Sequence, residues 1–239
     1  MSFTTVHEMY RSRRNVLLML AKQGYDTREY EDEDMAMTEA MMKSGALDMT
    51  MRQKEEAGGE EEAMDEEGKE AERRQVTVWY CAAQQFSKPA AVLEKVEQLR
   101  GNGMLRPQDT LYIVGPDDPK DRLTILLNDL WARAPEDRVF VAVTTVPRTQ
   151  IDWAACHGAF KHTRLTAEQT AEIEARFEVP GEPGKLPEIS RHDPGAVYIA
   201  LRPGEICHVA RPKGDFYRRC ISDACRKSNA RAAAAAANF

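Results

Sequence analysis

The sequence predicts a small α/β unit with a short, mainly parallel sheet, followed by a compact α+β module with a small β-sheet. Three observations predict it. Apolar runs between residues 76 and 143 alternate strand, helix, strand, helix, strand. Beyond residue 165 the grammar changes to short strands punctuated by Pro and Gly, with one capped helix. At 239 residues, 42% hydrophobic and 30% charged, the chain has a globular composition and length enough for two small domains. The expected boundaries are 1–150 for the first unit, with an acidic flexible insert at about 52–74, then 151–222 for the second and 223–239 for an Ala-rich tail.

From Val6 to Ala21, Met9, Val16, Leu17 and Leu20 share a helical stripe, with Arg11 and Arg14 largely off it, and Gly24 supplies a stop. This is an amphipathic helix that docks on a core. Met35 to Met51 is methionine-rich and reads as a second helix. Arg52 to Arg74 then turns to Glu, Gly, Ala and Met, where like charges repel and few apolar side chains can offset the conformational entropy. Either an acidic interaction arm or a tolerated surface loop fits; the loop is favoured.

Val76 to Cys81 is β-branched and aromatic, Leu111 to Val114 is a short buried strand, and Val139 to Val143 is a third. Between them, Pro89 to Arg100 carries Val92, Leu93, Val96 and Leu99 on one stripe, and Lys120 to Ala132 carries Leu123, Leu126, Leu127 and Leu130. Helical crossovers between such strands favour parallel pairing. In the second module, Thr166-x-x-Gln169 is a capping box opening a helix with Ile173 and Phe177, which Pro180 and Gly181 end. Asp193-Pro194 starts a turn, Arg202-Pro203-Gly204 makes another, and strands from Glu205 to Ala210 and Phe216 to Ile221 are linked through Lys213-Gly214-Asp215 as an antiparallel pair.

The net charge of -6 is unevenly spread. Asp26 to Glu72 carries a local -13, leaving +7 for the remainder. Ala196 to Arg231 holds eight Lys/Arg against Glu205, Asp215 and Asp223. That basic part suits either phosphates or the carboxylates of a protein neighbour; the acidic segment on the same chain favours the neighbour. The apolar run Val16 to Ala21, after Arg11, Arg13 and Arg14, is too short for a signal core or a bilayer span. Five cysteines at 81, 156, 207, 220 and 225 form no regular framework. A soluble intracellular protein with no membrane partner is expected.

Catalytic signatures are missing from the sequence: no phosphate loop, nucleophile elbow, paired-His zinc motif or dinucleotide fingerprint occurs. Asp117, Asp118 and Lys120 at a strand end suggest a metal-dependent nuclease, but no further carboxylate is obviously placed to complete it. Cys156, His157, His162, Cys207, His208, Cys220 and Cys225 could be imagined as a zinc set, yet only His157-x4-His162 has ligand spacing. Core cysteines and surface histidines are the preferred reading. No catalytic residue, metal ligand, cofactor or small-molecule substrate is assigned.

The ordered series Leu186-Pro187-x-Ile189-x3-Asp193-Pro194, Arg202-Pro203-Gly204, Val209-Ala210-Arg211-Pro212 and Tyr217-Arg218 resembles the carboxyl-terminal assembly domain of the fifth common subunit of eukaryotic nuclear RNA polymerases, which has a shorter archaeal homologue. His162 with Leu165-Thr166-x-Glu168 resembles that family's entry into the domain. The amino-terminal half is similar in plan to the eukaryotic subunit's jaw domain, which the archaeal form lacks, so the resemblance implies a eukaryotic-type copy, cellular or carried by a large DNA virus. Three features depart from the family pattern: the acidic insert, a short loop after Arg211-Pro212, and the extension over 222–239.

The resemblance implies a non-catalytic subunit in the nucleus or a viral transcription compartment. It anchors on the largest polymerase subunit near the sixth common subunit, with its jaw beside the downstream DNA duplex. The implied interface residues are Asp193, Pro194, Arg202, Pro203, Gly204, Arg211, Pro212, Tyr217 and Arg218. Two other readings remain open: an autonomous transcription regulator using the acidic insert and the basic module, and a diverged nuclease at Asp117, Asp118 and Lys120.

Overall fold

A computed structural model describes residues 5–54, 73–156, 159–179, 185–212 and 214–222. Of the acidic insert expected at about 52–74, residues 55–72 lie outside the described residues, as do the tail over 223–239, His157, Lys213 and Cys225. Helix α1 (Val6–Lys22) opens with a capping box, the Thr5 hydroxyl accepting from Glu8 N and the Glu8 carboxylate accepting from Thr5 N. Helix α2 (Met35–Ser44) is capped by Asp34 and closes at Gly45 in a left-handed conformation. The chain then enters strand β1 (Met49–Arg52), where a continued helix was expected. Gly45 ends the helix, and the strand Gln75–Tyr80 offers Met49 and Met51 a ladder and a buried face.

Strands β2 (Gln75–Tyr80), β3 (Thr110–Gly115) and β4 (Phe140–Thr145) run parallel, and β1 adds antiparallel to β2, giving the order β1-β2-β3-β4. Both faces of this sheet are covered, so its strands read as continuous apolar runs. On one face Val76, Val78, Tyr112, Val114 and Phe140 pack with Val16, Leu17 and Leu20 of α1. On the other, Leu111, Ile113, Val141 and Val143 pack with α4 (Pro89–Gly101) and α5 (Asp121–Ala132). The one-turn helix α3 (Ala83–Phe86) fills the end of that layer.

The second sheet has the order β5-β7-β8-β6. Strands β7 (Ile206–Arg211) and β8 (Gly214–Ile221) form the expected antiparallel hairpin. The polar strand β5 (Lys161–Arg164) adds antiparallel to β7, and β6 (Glu188–Ser190) adds parallel to β8. Helix α6 (Ala167–Arg176) shows both bonds of the expected capping box. It ends in a Schellman arrangement, Val179 N donating to Glu174 O at 2.9 Å and Glu178 N to Ala175 O at 3.3 Å. Glu178 occupies the left-handed position at φ 56°. There a Cβ is strained and a carboxylate faces the negative end of the helix dipole. Glu178→Gly is therefore expected to stabilise the protein by about 0.5–1 kcal/mol once added backbone entropy is subtracted, read as an upward shift in thermal midpoint.

Helix α7 (Pro194–Tyr198) joins the two sheets. Its Val197, with Ala200 just beyond it, completes the core of the first sheet, while Ala196 belongs to the core of the second. The Tyr112 hydroxyl donates to Val197 O at 2.8 Å, and Gln23 Nε2 donates to Tyr198 O at 2.5 Å. No described helix is long and apolar enough to cross a membrane.

Candidate docking site

The turn and hairpin residues singled out by sequence fall into three places. Asp193 and Pro194 begin α7: the Asp193 carboxylate accepts from Gly195 N at 2.8 Å, and Pro194 occupies the first helical position. Gly195 lies against His162 of β5, where an added Cβ would meet the imidazole at 2.7 Å. These residues set where α7 sits and bring Val197 into the shared core.

Arg202, Pro203 and Gly204 form a tight turn, in which Glu205 N donates to Arg202 O at 3.0 Å and the Glu205 carboxylate accepts from Arg202 N at 2.8 Å. Gly204 adopts φ 96°, and its N–H reaches Cys220 O at 2.9 Å. The Arg202 side chain turns inward. Its guanidinium donates to Gln108 O at 2.6 Å and lies over the rings of Phe140 at 5.5 Å and Trp131 at 6.0 Å. Burial pulls its pKa below the usual guanidinium range, Glu205 opposes that, and Arg74 and Arg164 lower it further.

The hairpin carries the remaining four, of which Arg211 and Pro212 are exposed, while Arg218 is half-buried and Tyr217 packs against Val179, Leu186 and Ile206. Residues of β8 alternate between faces, so Phe216 and Arg218 share one and Tyr217 and Arg219 the other. Arg211, exposed at the end of β7, lies over Phe216 at 4.4 Å and Phe160 at 5.3 Å, while Arg218 lies over Phe216 at 5.4 Å. Pro212 follows in the exposed turn. On the opposite face Tyr217 packs against His208 at 5.3 Å and Phe177 at 6.0 Å, and His208 Nε2 sits 2.6 Å from Asp215 Oδ1. Phe160 and Phe177 are exposed, so each face of the hairpin presents an aromatic surface with polar or cationic edges, the composition typical of an interface centre.

Behind the hairpin, Arg219 donates to Glu174 at 2.7 Å and ties β8 to α6. Arg191, just after β6, is 3% exposed and donates to Val141 O at 2.7 Å and to Leu127 O and Asn128 Oδ1 at 3.2 Å each. Neither arginine was singled out from the sequence. The signal available was slight: Arg191 stands two residues after Ile189, and Arg219 two residues before Ile221, each at strand spacing from an apolar residue.

Elsewhere, Asp117, Asp118 and Lys120 line a cavity of about 490 Å³, and Asp118 pairs with Arg148 at 3.0 Å. Cys207 and Cys220 are buried in the second core, where burial pushes the Cys207 thiol up to about 11. The His162 ring contacts Phe160 O at 2.8 Å. Among the described residues no three His, Cys, Asp or Glu side chains converge as a metal site would require.

Residues 157–219 match the family model described as RNA polymerase Rpb5, C-terminal domain. The match indicates an RNA polymerase subunit. It spans β5, α6, β6, α7, β7 and β8 as far as Arg219, so nearly all of the second sheet is Rpb5-like. All nine residues singled out for docking lie inside it. No curated protein matches the chain.

Proposed function

We propose that this chain is a non-catalytic structural subunit of a multisubunit DNA-dependent RNA polymerase of the eukaryotic nuclear type, cellular or carried by a large DNA virus. Residues 151–222 anchor it on the largest subunit near the sixth common subunit. Residues 1–150 form the jaw beside downstream duplex DNA, where contacts are weak and independent of sequence. Its place of action is the nucleus or a viral transcription compartment. The observation that carries this reading is the coincidence of the Rpb5-like match with one small sheet whose hairpin presents an arginine and aromatic surface.

Within that sheet the nine residues divide their work. Asp193, Pro194, Pro203 and Gly204 fix the shape of the docking face, and Arg202 holds it against the jaw through Gln108 O. Arg211, Pro212, Tyr217 and Arg218 touch the partner. Arg geometry supplies directional bonds to carboxylates and carbonyls, and Tyr supplies buried area at low entropy cost.

The test is affinity purification of tagged full-length chain from its native source. Arg211→Glu and Tyr217→Ala are each expected to reduce recovery of the largest polymerase subunit at least tenfold, as loss of an interface anchor worth about 2 kcal/mol does. Thermal midpoints within about 3 °C of the parent, roughly 1 kcal/mol at this size, would exclude unfolding as the cause. Undiminished recovery of the largest subunit with both variants would overturn this docking face.

A further inference from the structure

A cavity of about 610 Å³ lies where the ends of the first sheet meet the outer edge of the second. Among the described residues no Asp or Glu lines it. Lys22, Arg74, Lys161, Arg164 and Arg202 line it together with Tyr25, Trp153, Phe160 and Tyr198, and of these cations Lys22 is paired with Asp152 at 2.8 Å. Among the described residues Arg164 has one carboxylate within ion-pair distance, Glu205 at 4.0 Å. Arg74 and Lys161 make no ion pair among the described residues. These cations weigh on one another, since Arg74 and Arg164 both lower the pKa of Arg202.

One wall of the cavity is strand β5, which has β7 on one side and no strand on the other among the described residues. The open side can be assigned. Leu165 N donates to Ile206 O at 3.1 Å, which makes 165 and 206 a hydrogen-bonded pair. In an antiparallel ladder such pairs recur every second residue, so Thr163 and Lys161 point their backbone groups at β7. His162 and Arg164 therefore turn N–H and C=O outward along the free edge. The cavity thus combines a strand edge that is open among the described residues, an excess of positive charge and four aromatic side chains.

We propose that β5 accepts an extended acidic peptide segment of a protein partner as an added strand, its carboxylates meeting Arg74, Lys161 and Arg164. Backbone pairing along the edge supplies affinity, and the cations select the side chains. A phosphate backbone has no alternating N–H and C=O groups to match this edge, and a cavity of this volume admits no duplex. A second copy of the chain pairing β5 with β5 would set Lys161 and Arg164 against like charges.

The test uses the full-length chain and a fluorescein-labelled eight-residue peptide alternating Val and Glu, read by fluorescence anisotropy. Saturable binding is expected, weakening about tenfold as salt rises and screens the charges. The matching Val and Lys peptide should not bind. The double variant Arg74→Glu, Arg164→Glu should lose binding at least tenfold. So should Arg164→Pro, which removes an outward N–H and keeps the ladder to β7. Saturable binding by the parent that both variants retain would overturn the proposal, as would no binding by the parent. So would displacement by duplex DNA at lower concentration than by unlabelled peptide. A gain of tenfold or more on deleting residues 55–72 would make the chain's own acidic segment the occupant and overturn it too. Peptide binding is read without any polymerase, so its failure leaves the assembly role of the hairpin untouched.

Discussion

Arg191→Ala is expected to lower the unfolding free energy by about 3 kcal/mol, a drop in thermal midpoint of roughly 6–12 °C for a chain of this size. The side chain is 3% exposed and crosses from the end of β6 to the first sheet. It donates to the carbonyl oxygens of Leu127 and Val141 and to Asn128, and its guanidinium lies 5.6 Å from the centre of the Phe140 ring. Alanine leaves these acceptors buried with fewer donors and opens a cavity beside Phe140. Arg191→Met should lose less, because it refills the space and removes a desolvated charge. Since Arg191 links the two sheets, calorimetry of the alanine variant should also show the single transition broadening or splitting. A midpoint within 2 °C of the parent for Arg191→Ala would mean the contacts are worth little.

Arg13→Ala is expected to cost about 3–5 kcal/mol, the range for removing one partner of a buried ion pair. Arg13 is 2% exposed on α1, and its guanidinium makes two bonds to the Glu33 carboxylate, at 2.7 and 2.9 Å. It also donates to Leu47 O and stacks over Tyr80 at 5.7 Å. Glu33 precedes α2 and Leu47 precedes β1, so one side chain of α1 holds both ends of that segment. The double variant Arg13→Met, Glu33→Leu should recover much of the loss, because no charge is then left buried and alone. Denaturant unfolding of the parent, Arg13→Met, Glu33→Leu and the double variant gives the coupling energy. Hydrogen exchange should locate the loosening in residues 27–54. A coupling near zero would show that the pair is not what holds the segment.

Both predictions rest on arginines that a sequence presents as surface charge. By contrast, the strands around Val78, Ile113 and Val141 were legible because both faces of their sheet are buried, which demands an unbroken apolar and β-branched run. The helix after Thr166 was legible because its capping box is local chemistry, complete within four residues. The β7–β8 hairpin followed from alternation across a turn. Strand β5 was not legible: Lys161-His162-Thr163-Arg164 has no apolar period, and only pairing with β7 makes it a strand. Strand β1 was hidden for a related reason, its methionines having no preference of their own for a strand.

The candidate site divides in the same way. Asp193-Pro194 and Arg202-Pro203-Gly204 announced turns, and the turns are there, although the first proved to be a helix start. The direction of the Arg202 side chain was not in the letters. It depends on Gln108, Trp131 and Phe140, residues about sixty to ninety positions away that form a pocket only after the first sheet has closed.

What the sequence determined by itself was whatever depends on near neighbours: helix caps, the apolar stripes of α1, α4 and α5, the buried strands, the turn residues, and the ordered series in 186–218 that resembles a polymerase subunit. What only the tertiary structure decided was which charged groups face water. Arg13, Arg191 and Arg202 became internal fasteners, while Arg74, Lys161 and Arg164 came together beside an open strand edge. The physical reason is that periodicity and capping act over a few residues, whereas the environment of a long, cationic side chain is set by carbonyls, carboxylates and rings that distant segments bring to it.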